Sequence, residues 1–116
     1  MRDNMQNNNL YSYTKAKVES LTKNLLVIKR DGRVVKFDAE KIYNAIEKAV
    51  HSVFGKNHSV NINGIVDNVI LEIANRFKEN IKIYELQNVV EHTLLTLGEE
   101  AIYEEYVGYR SMRDIE

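Results

Sequence analysis

The chain has 116 residues, of which 44% are hydrophobic, enough for one domain around one modest core and too many for a disordered chain. It has no cysteine, which excludes disulfides and thiolate-rich metal sites and fits a cytoplasmic protein. Its net charge of −1 argues against nucleic-acid binding through bulk charge, and no apolar run approaches the ~20 residues that span a bilayer.

Residues 1–24 read as an extension. Met1 to Asn9 is rich in asparagine and is expected to be disordered. It lacks the basic and apolar regions of a signal peptide. Leu10 to Asn24 fits a helix with Tyr11, Val18 and Leu21 as its apolar points, packing loosely or joining something upstream. The stretch Leu25 to Phe37, LLVIKRDGRVVKF, has two β-rich halves around Asp31-Gly32, a strong hairpin signal. A two-residue loop there would pair Arg30 with Arg33, Ile28 with Val35 and Leu26 with Phe37. Alternation would then put Leu26, Ile28, Val35 and Phe37 on the core face, leaving Leu25, Val27, Lys29, Val34 and Lys36 on the other.

Asp38 suits a helix N-cap. Ile42, Ala45, Ile46, Ala49, Val50 and Val53 then follow at helical spacing up to Gly55. A second helix is expected over about Ile62 to Lys78, with the broadest apolar face. Ile81-Lys82-Ile83 suits a short third strand. A third helix covers about Tyr84 to Leu97 and ends at Gly98, and a last one runs from near Glu99 through Arg113. The chain contains no proline, so glycines and caps must mark these boundaries. The fold class expected is α+β, a small β-hairpin or three-stranded sheet covering a four-helix bundle.

Little in the chain suggests catalysis. His51, His58 and His92 show no HExxH or i,i+4 spacing, and no GxSxG, Walker-type or GxGxxG pattern occurs. Glu99-Glu100 and Glu104-Glu105 suit a solvated helix face better than acid–base chemistry. The cations are more informative. Lys29 and Arg30 precede the turn, either as charges that keep an edge strand soluble or as ligand contacts. In a regular strand the two would point to opposite faces. Lys41 falls in the first turn after Asp38, where free N–H groups already favour an anion; a solvated surface lysine accounts for it equally well. Tyr103, Tyr106, Val107, Arg110 and Arg113 share a face of the last helix. Arginine forks suit phosphate, although core tyrosines and arginines paired with acids such as Asp114 would explain the same pattern.

Val27, Lys29, Arg30, Asp31, Gly32, Phe37, Asp38, Lys41, Ile42, Ala45 and Ile46 together form a spacing that resembles the ATP-cone, the allosteric nucleotide-binding domain of ribonucleotide reductases. Ile81, Leu86, Gln87, Val90, Glu91 and Leu94 are similar to a second segment of that family. The closing YVGYRSMRDIE resembles the end of the cone in anaerobic, glycyl-radical ribonucleoside-triphosphate reductases. The resemblance covers residues 25–116.

It implies a non-catalytic domain that binds ATP or dATP as effector, with Mg2+, and switches reductase activity through oligomeric state in deoxyribonucleotide synthesis. Lys29, Arg30, Lys41, Arg110 and Arg113 would hold the triphosphate, with Asp31 and Gly32 making the turn. Gln87 matches a position near the nucleotide, and Val27, Ile42 and Leu86 would line the adenine pocket. The partners implied are the rest of a reductase polypeptide or its other subunits, with no direct nucleic-acid or membrane contact. The same domain occurs behind a zinc ribbon in a repressor of reductase genes, but the chain has no cysteines for such a ribbon. It is expected to be either a piece of a longer reductase or a free-standing cone, and its end inside a charged helical run favours a piece. The alternative function is a nucleotide-independent interaction or oligomerisation module, or a free-standing cone linked to transcriptional control.

Overall fold

The computed structural model describes residues 16–115, with side chains as far as Tyr109. The expectations for Met1 to Asn9 and Tyr11, and for the side chains of Arg110, Arg113 and Asp114, fall outside the described residues. The described elements run in the order α1 (residues 16–22), β1 (Leu26–Ile28), β2 (Val34–Lys36), α2 (Ala39–Phe54), α3 (Ile62–Arg76), β3 (Asn80–Lys82), α4 (Ile83–Thr96) and α5 (Glu100–Ile115). A three-stranded sheet of order β2-β1-β3 covers the helices, an α+β architecture.

The helices form where their apolar spacing and end residues agree. Asp38 caps α2, its carboxylate accepting the Glu40 N–H at 3.0 Å. The stripe Ile42, Ile46, Ala49 and Val50 is buried behind it. Asn61 caps α3 through the Gly64 N–H at 3.0 Å. Seven of the α3 side chains, from Ile62 to Ala74, are buried, so α3 has the broad apolar face expected of it. β3 passes directly into α4, where the Glu85 carboxylate accepts the Lys82 N–H at 3.0 Å. α2 packs against α3 and α5, and α4 packs against the same two helices. Ile46, Ile73, Ile81, Leu94 and Ile102, all fully buried, mark the centre of the core. Cutting any of them to alanine would cost roughly 2–5 kcal/mol. α1 contributes Val18 and Thr22 to the buried set, while Leu21 stays 54% exposed.

The hairpin corrects the expected register by one residue. Leu26 pairs with Lys36, Val27 with Val35 and Ile28 with Val34. The Phe37 N–H donates to the Leu25 carbonyl, and the Lys29 N–H to the Arg33 carbonyl. The loop therefore has three residues, Arg30, Asp31 and Gly32. A turn closes it, the Gly32 N–H donating to the Lys29 carbonyl at 3.0 Å. Gly32 sits at φ +89°, the left-handed position that ends a three-residue hairpin loop and that glycine adopts most cheaply. Side chains alternate along a strand, so a one-residue slip exchanges the faces of β1. Leu25 and Val27 are buried, with Val35 and Phe37 partly buried beside them, whereas Leu26 is 40% and Val34 57% exposed. The third strand is present and runs parallel to β1, setting the buried Ile81 beside Val27.

Candidate functional site

The new register places Lys29 at the end of the inward face of β1, and Arg30 in the turn rather than in the strand. Both line one cleft of about 560 Å³ between the hairpin, α2, α4 and α5, within the range of small-molecule sites. The cleft floor is apolar. Val27, Ile42, Leu86, Val90 and Tyr106 line it, and all are nearly inaccessible to solvent. Its rim is cationic: among the described residues, Lys29, Arg30, Arg33, Lys36, Lys41 and Lys48 stand against two lining carboxylates, Asp31 and Asp38. A chain of net charge −1 thus gathers positive charge around one concavity, where low-dielectric walls concentrate its field on an anion.

The rim is ordered by local contacts. The Asp31 carboxylate accepts the Arg33 backbone N–H at 3.1 Å and the Arg33 Nε–H at 2.7 Å. Those two hydrogen bonds, the backbone one foremost, hold the Asp31 carboxyl below the usual aspartate range. Across the cleft the Arg30 guanidinium donates to the Gln87 amide oxygen at 3.3 Å, linking the hairpin tip to α4. At the α5 side the Lys48 ammonium donates to the Tyr109 hydroxyl at 3.4 Å and lies 5.4 Å from the centre of its ring. One turn along, Ser52 donates to the Glu105 carboxylate at 2.6 Å. Lys41 stands in the first turn of α2, where the helix end adds its own partial positive charge.

A second hollow, of about 650 Å³, lies between α1, the start of α2 and α3. Among the described residues, Glu19, Asp38, Glu40 and Asp67 line it with one lysine, Lys23. It is the wrong sign for an anion. Burial alone raises the Asp67 carboxyl above its ordinary pKa.

Residues 25–115 match the family described as ATP cone domain. The chain belongs to the ATP-cone family. The cone is 34% identical over 92 residues to an anaerobic ribonucleoside-triphosphate reductase of Haemophilus influenzae, covering 79% of this chain and 13% of that protein. It is 31% identical over 99 residues to a ribonucleoside-diphosphate reductase subunit alpha of Chlamydia trachomatis, covering 77% and 9%. A subunit of the same name from Chlamydia muridarum is 31% identical over 108 residues, covering 85% and 10%. The chain therefore spans about a tenth of the length of these curated relatives.

Of the residues expected at the site, the cone brings Val27, Lys29, Arg30, Asp31, Lys41, Ile42, Leu86 and Gln87 to this single cleft. Gly32 shapes the loop without lining the cleft. Arg110 and Arg113 lie on α5, and their side chains are not among those described. The expected set leaves out several other lining residues, among them Arg33, Lys36, Lys48 and Tyr109. Lys48 carried a readable signal, since it follows Lys41 by seven residues on α2, two turns along one face, with Asn44 and Ala45 between them also lining the cleft. Tyr109 follows Tyr106 by three residues on α5 and also carried a helical-spacing signal.

Proposed function

We propose that this cleft binds ATP or dATP as an effector, and that its occupancy regulates a ribonucleotide reductase through the enzyme's state of assembly. The carrying observation is the pairing of an apolar floor with a rim that, among the described residues, sets six cations against two carboxylates. A purine would bury its faces on Val27, Ile42 and Leu86, and the triphosphate would meet Lys29, Arg30 and Lys41, with Arg110 and Arg113 arriving from α5. Gln87 would steady Arg30 beside the ligand. Among the described residues no three metal-binding side chains converge. A magnesium ion would arrive with the triphosphate, held by its phosphates and water with at most one or two carboxylates added, as is usual for this ion. No helix among the described residues is long and apolar enough to cross a membrane, and a cytoplasmic enzyme is the setting proposed. In this reading residues 25–116 are the regulatory unit, residues 1–24 precede it, and the partners are the rest of a reductase chain or its other subunits.

ATP and dATP differ only at the ribose 2′-hydroxyl. They can drive opposite outcomes only if two conformations of the assembly favour them unequally. Titration calorimetry with each nucleotide and magnesium tests the binding step. Both should bind and compete. Lys29→Ala and Arg30→Ala should each weaken binding about tenfold or more, the value of roughly 1.5–3 kcal/mol for a charge-assisted contact. Absence of heat with both nucleotides would refute the assignment.

The exposed outer face of the sheet, with Leu26 and Val34 flanking Ile28, favours a second reading as an interaction module. Size-exclusion chromatography separates the two, because association that ignores dATP belongs to the second.

A further inference from the structure

We propose that Lys48 is a further phosphate-binding residue of the cleft, and that Tyr109 is the positioning residue that holds it when no anion is present. The inference rests on the cleft being the nucleotide site. Lys48 and Lys41 lie on one face of α2, about 10 Å apart along the helix axis at 1.5 Å per residue, with Asn44 and Ala45 lining the cleft between them. The cationic face of α2 is thus long enough to follow a polyphosphate chain rather than to meet a single phosphate.

The Lys48 ammonium is directed across the cleft mouth to Tyr109, 3.4 Å from its hydroxyl and over its ring. A neutral phenol is a weak partner for an ammonium compared with a phosphate oxygen, because the phosphate adds a charge–charge attraction that the phenol lacks. An incoming triphosphate would take the ammonium from Tyr109 without any movement of α2. The second polar tie on the same seam, from Ser52 to Glu105, lies one turn away and does not line the cleft. It would keep α2 and α5 together while the nearer contact is exchanged. Occupancy of the cleft would thereby act on α5 at Tyr109, in addition to the contacts proposed for Arg110 and Arg113.

The test uses the whole chain labelled with 3-fluorotyrosine. The chain has seven tyrosines, and the 19F resonance of Tyr109 is assigned by its loss in Tyr109→Phe. Calorimetry with dATP and magnesium is run in parallel on the wild type, Lys48→Met, Lys48→Arg and Tyr109→Phe. Lys48→Met should lose about tenfold in affinity, and Lys48→Arg, which keeps the charge, should recover most of it. Tyr109→Phe should bind about as tightly as the wild type, since in the complex the phosphate and not the hydroxyl holds Lys48. Saturating dATP should shift the Tyr109 resonance in the wild type, and in Lys48→Met that resonance should start near its bound position and barely move. Unchanged affinity in Lys48→Met, or an equal dATP shift with and without Lys48, overturns the inference while leaving the nucleotide site standing. If the wild type itself binds neither nucleotide, the functional assignment falls and the inference falls with it.

Discussion

Gly32 ties the fold to the cleft most directly, and replacing it gives a prediction of definite size. Its φ of +89° is left-handed, and a Cβ built on it meets nothing within 4 Å. Steric overlap therefore adds nothing to the cost of Gly32→Ala, which reduces to the backbone penalty of a left-handed L-residue, about 1–2 kcal/mol. For a domain of this size each kcal/mol corresponds to about 4–8 °C, so the melting temperature should fall by about 4–16 °C. Gly32→Asn should fall by less, because asparagine tolerates this conformation. The same loop sets Lys29 and Arg30 at the rim, so Gly32→Ala should also weaken dATP binding when measured by calorimetry below the transition. Differential scanning calorimetry of both variants is the assay. If alanine and asparagine both melt with the wild type, the loop does not depend on a left-handed residue and the three-residue hairpin is wrong.

Other substitutions examine separate features. Leu26→Thr should change stability by no more than about 0.5 kcal/mol, as at a surface position. Val27→Thr, one residue on, should cost about 1–3 kcal/mol by burying a hydroxyl; urea denaturation showing the reverse order would restore the other register. Gly108 lies within α5 with open space around it, so Gly108→Ala should stabilise by about 0.8–1 kcal/mol and raise the melting temperature by about 3–8 °C. Asp67 has its folded pKa raised by burial, so its ionisation opposes folding. That loss begins as the pH rises past the ordinary aspartate value and is complete above the folded one. Asp67→Asn should therefore melt above the wild type at pH 7, and the advantage should vanish in acid. Asp31 has the opposite sign: its carboxyl is held low by Arg33, so its contribution is present above the ordinary aspartate pKa and disappears as pH falls through the depressed value. Asp31→Asn should flatten that part of an acid titration followed by circular dichroism.

The helices were legible because their signals are local. Asp38, the stripe from Ile42 to Val50 and the glycines after α2 and α4 each act within a few residues of the boundary they set. The hairpin was legible as a hairpin but not in register. Asp-Gly suits a two-residue loop and a three-residue loop ending in glycine alike. The choice between them is made by packing: Leu25 and Val27, rather than Leu26 and Ile28, face the helices beside Ile81. The same slip answers why adjacent cations share a cleft, since Arg30 leaves the strand alternation on entering the turn. The spacing of Lys48 from Lys41 is readable in the sequence, but its contact is not, since Tyr109 comes to it from α5 across 61 residues.

The central position of β1 also constrains the order in which the molecule can assemble. Its antiparallel neighbour β2 is supplied within a few residues, a pairing that closes on the microsecond scale of an isolated hairpin. Its parallel neighbour β3 begins at Asn80 and arrives only after α2 and α3 have been threaded between them. Parallel pairing of this kind carries a large loop-closure cost and is intrinsically slow. Leu86 and Gln87 lie on the helix that β3 leads into, so their place beside the cationic hairpin depends on that closure. An excised peptide carrying LLVIKRDGRVVKF would keep its charges and lose the opposing wall. The concavity exists only where β3 has paired with β1 and carried α4 into place, so an effector bound there would select chains in which that pairing is made.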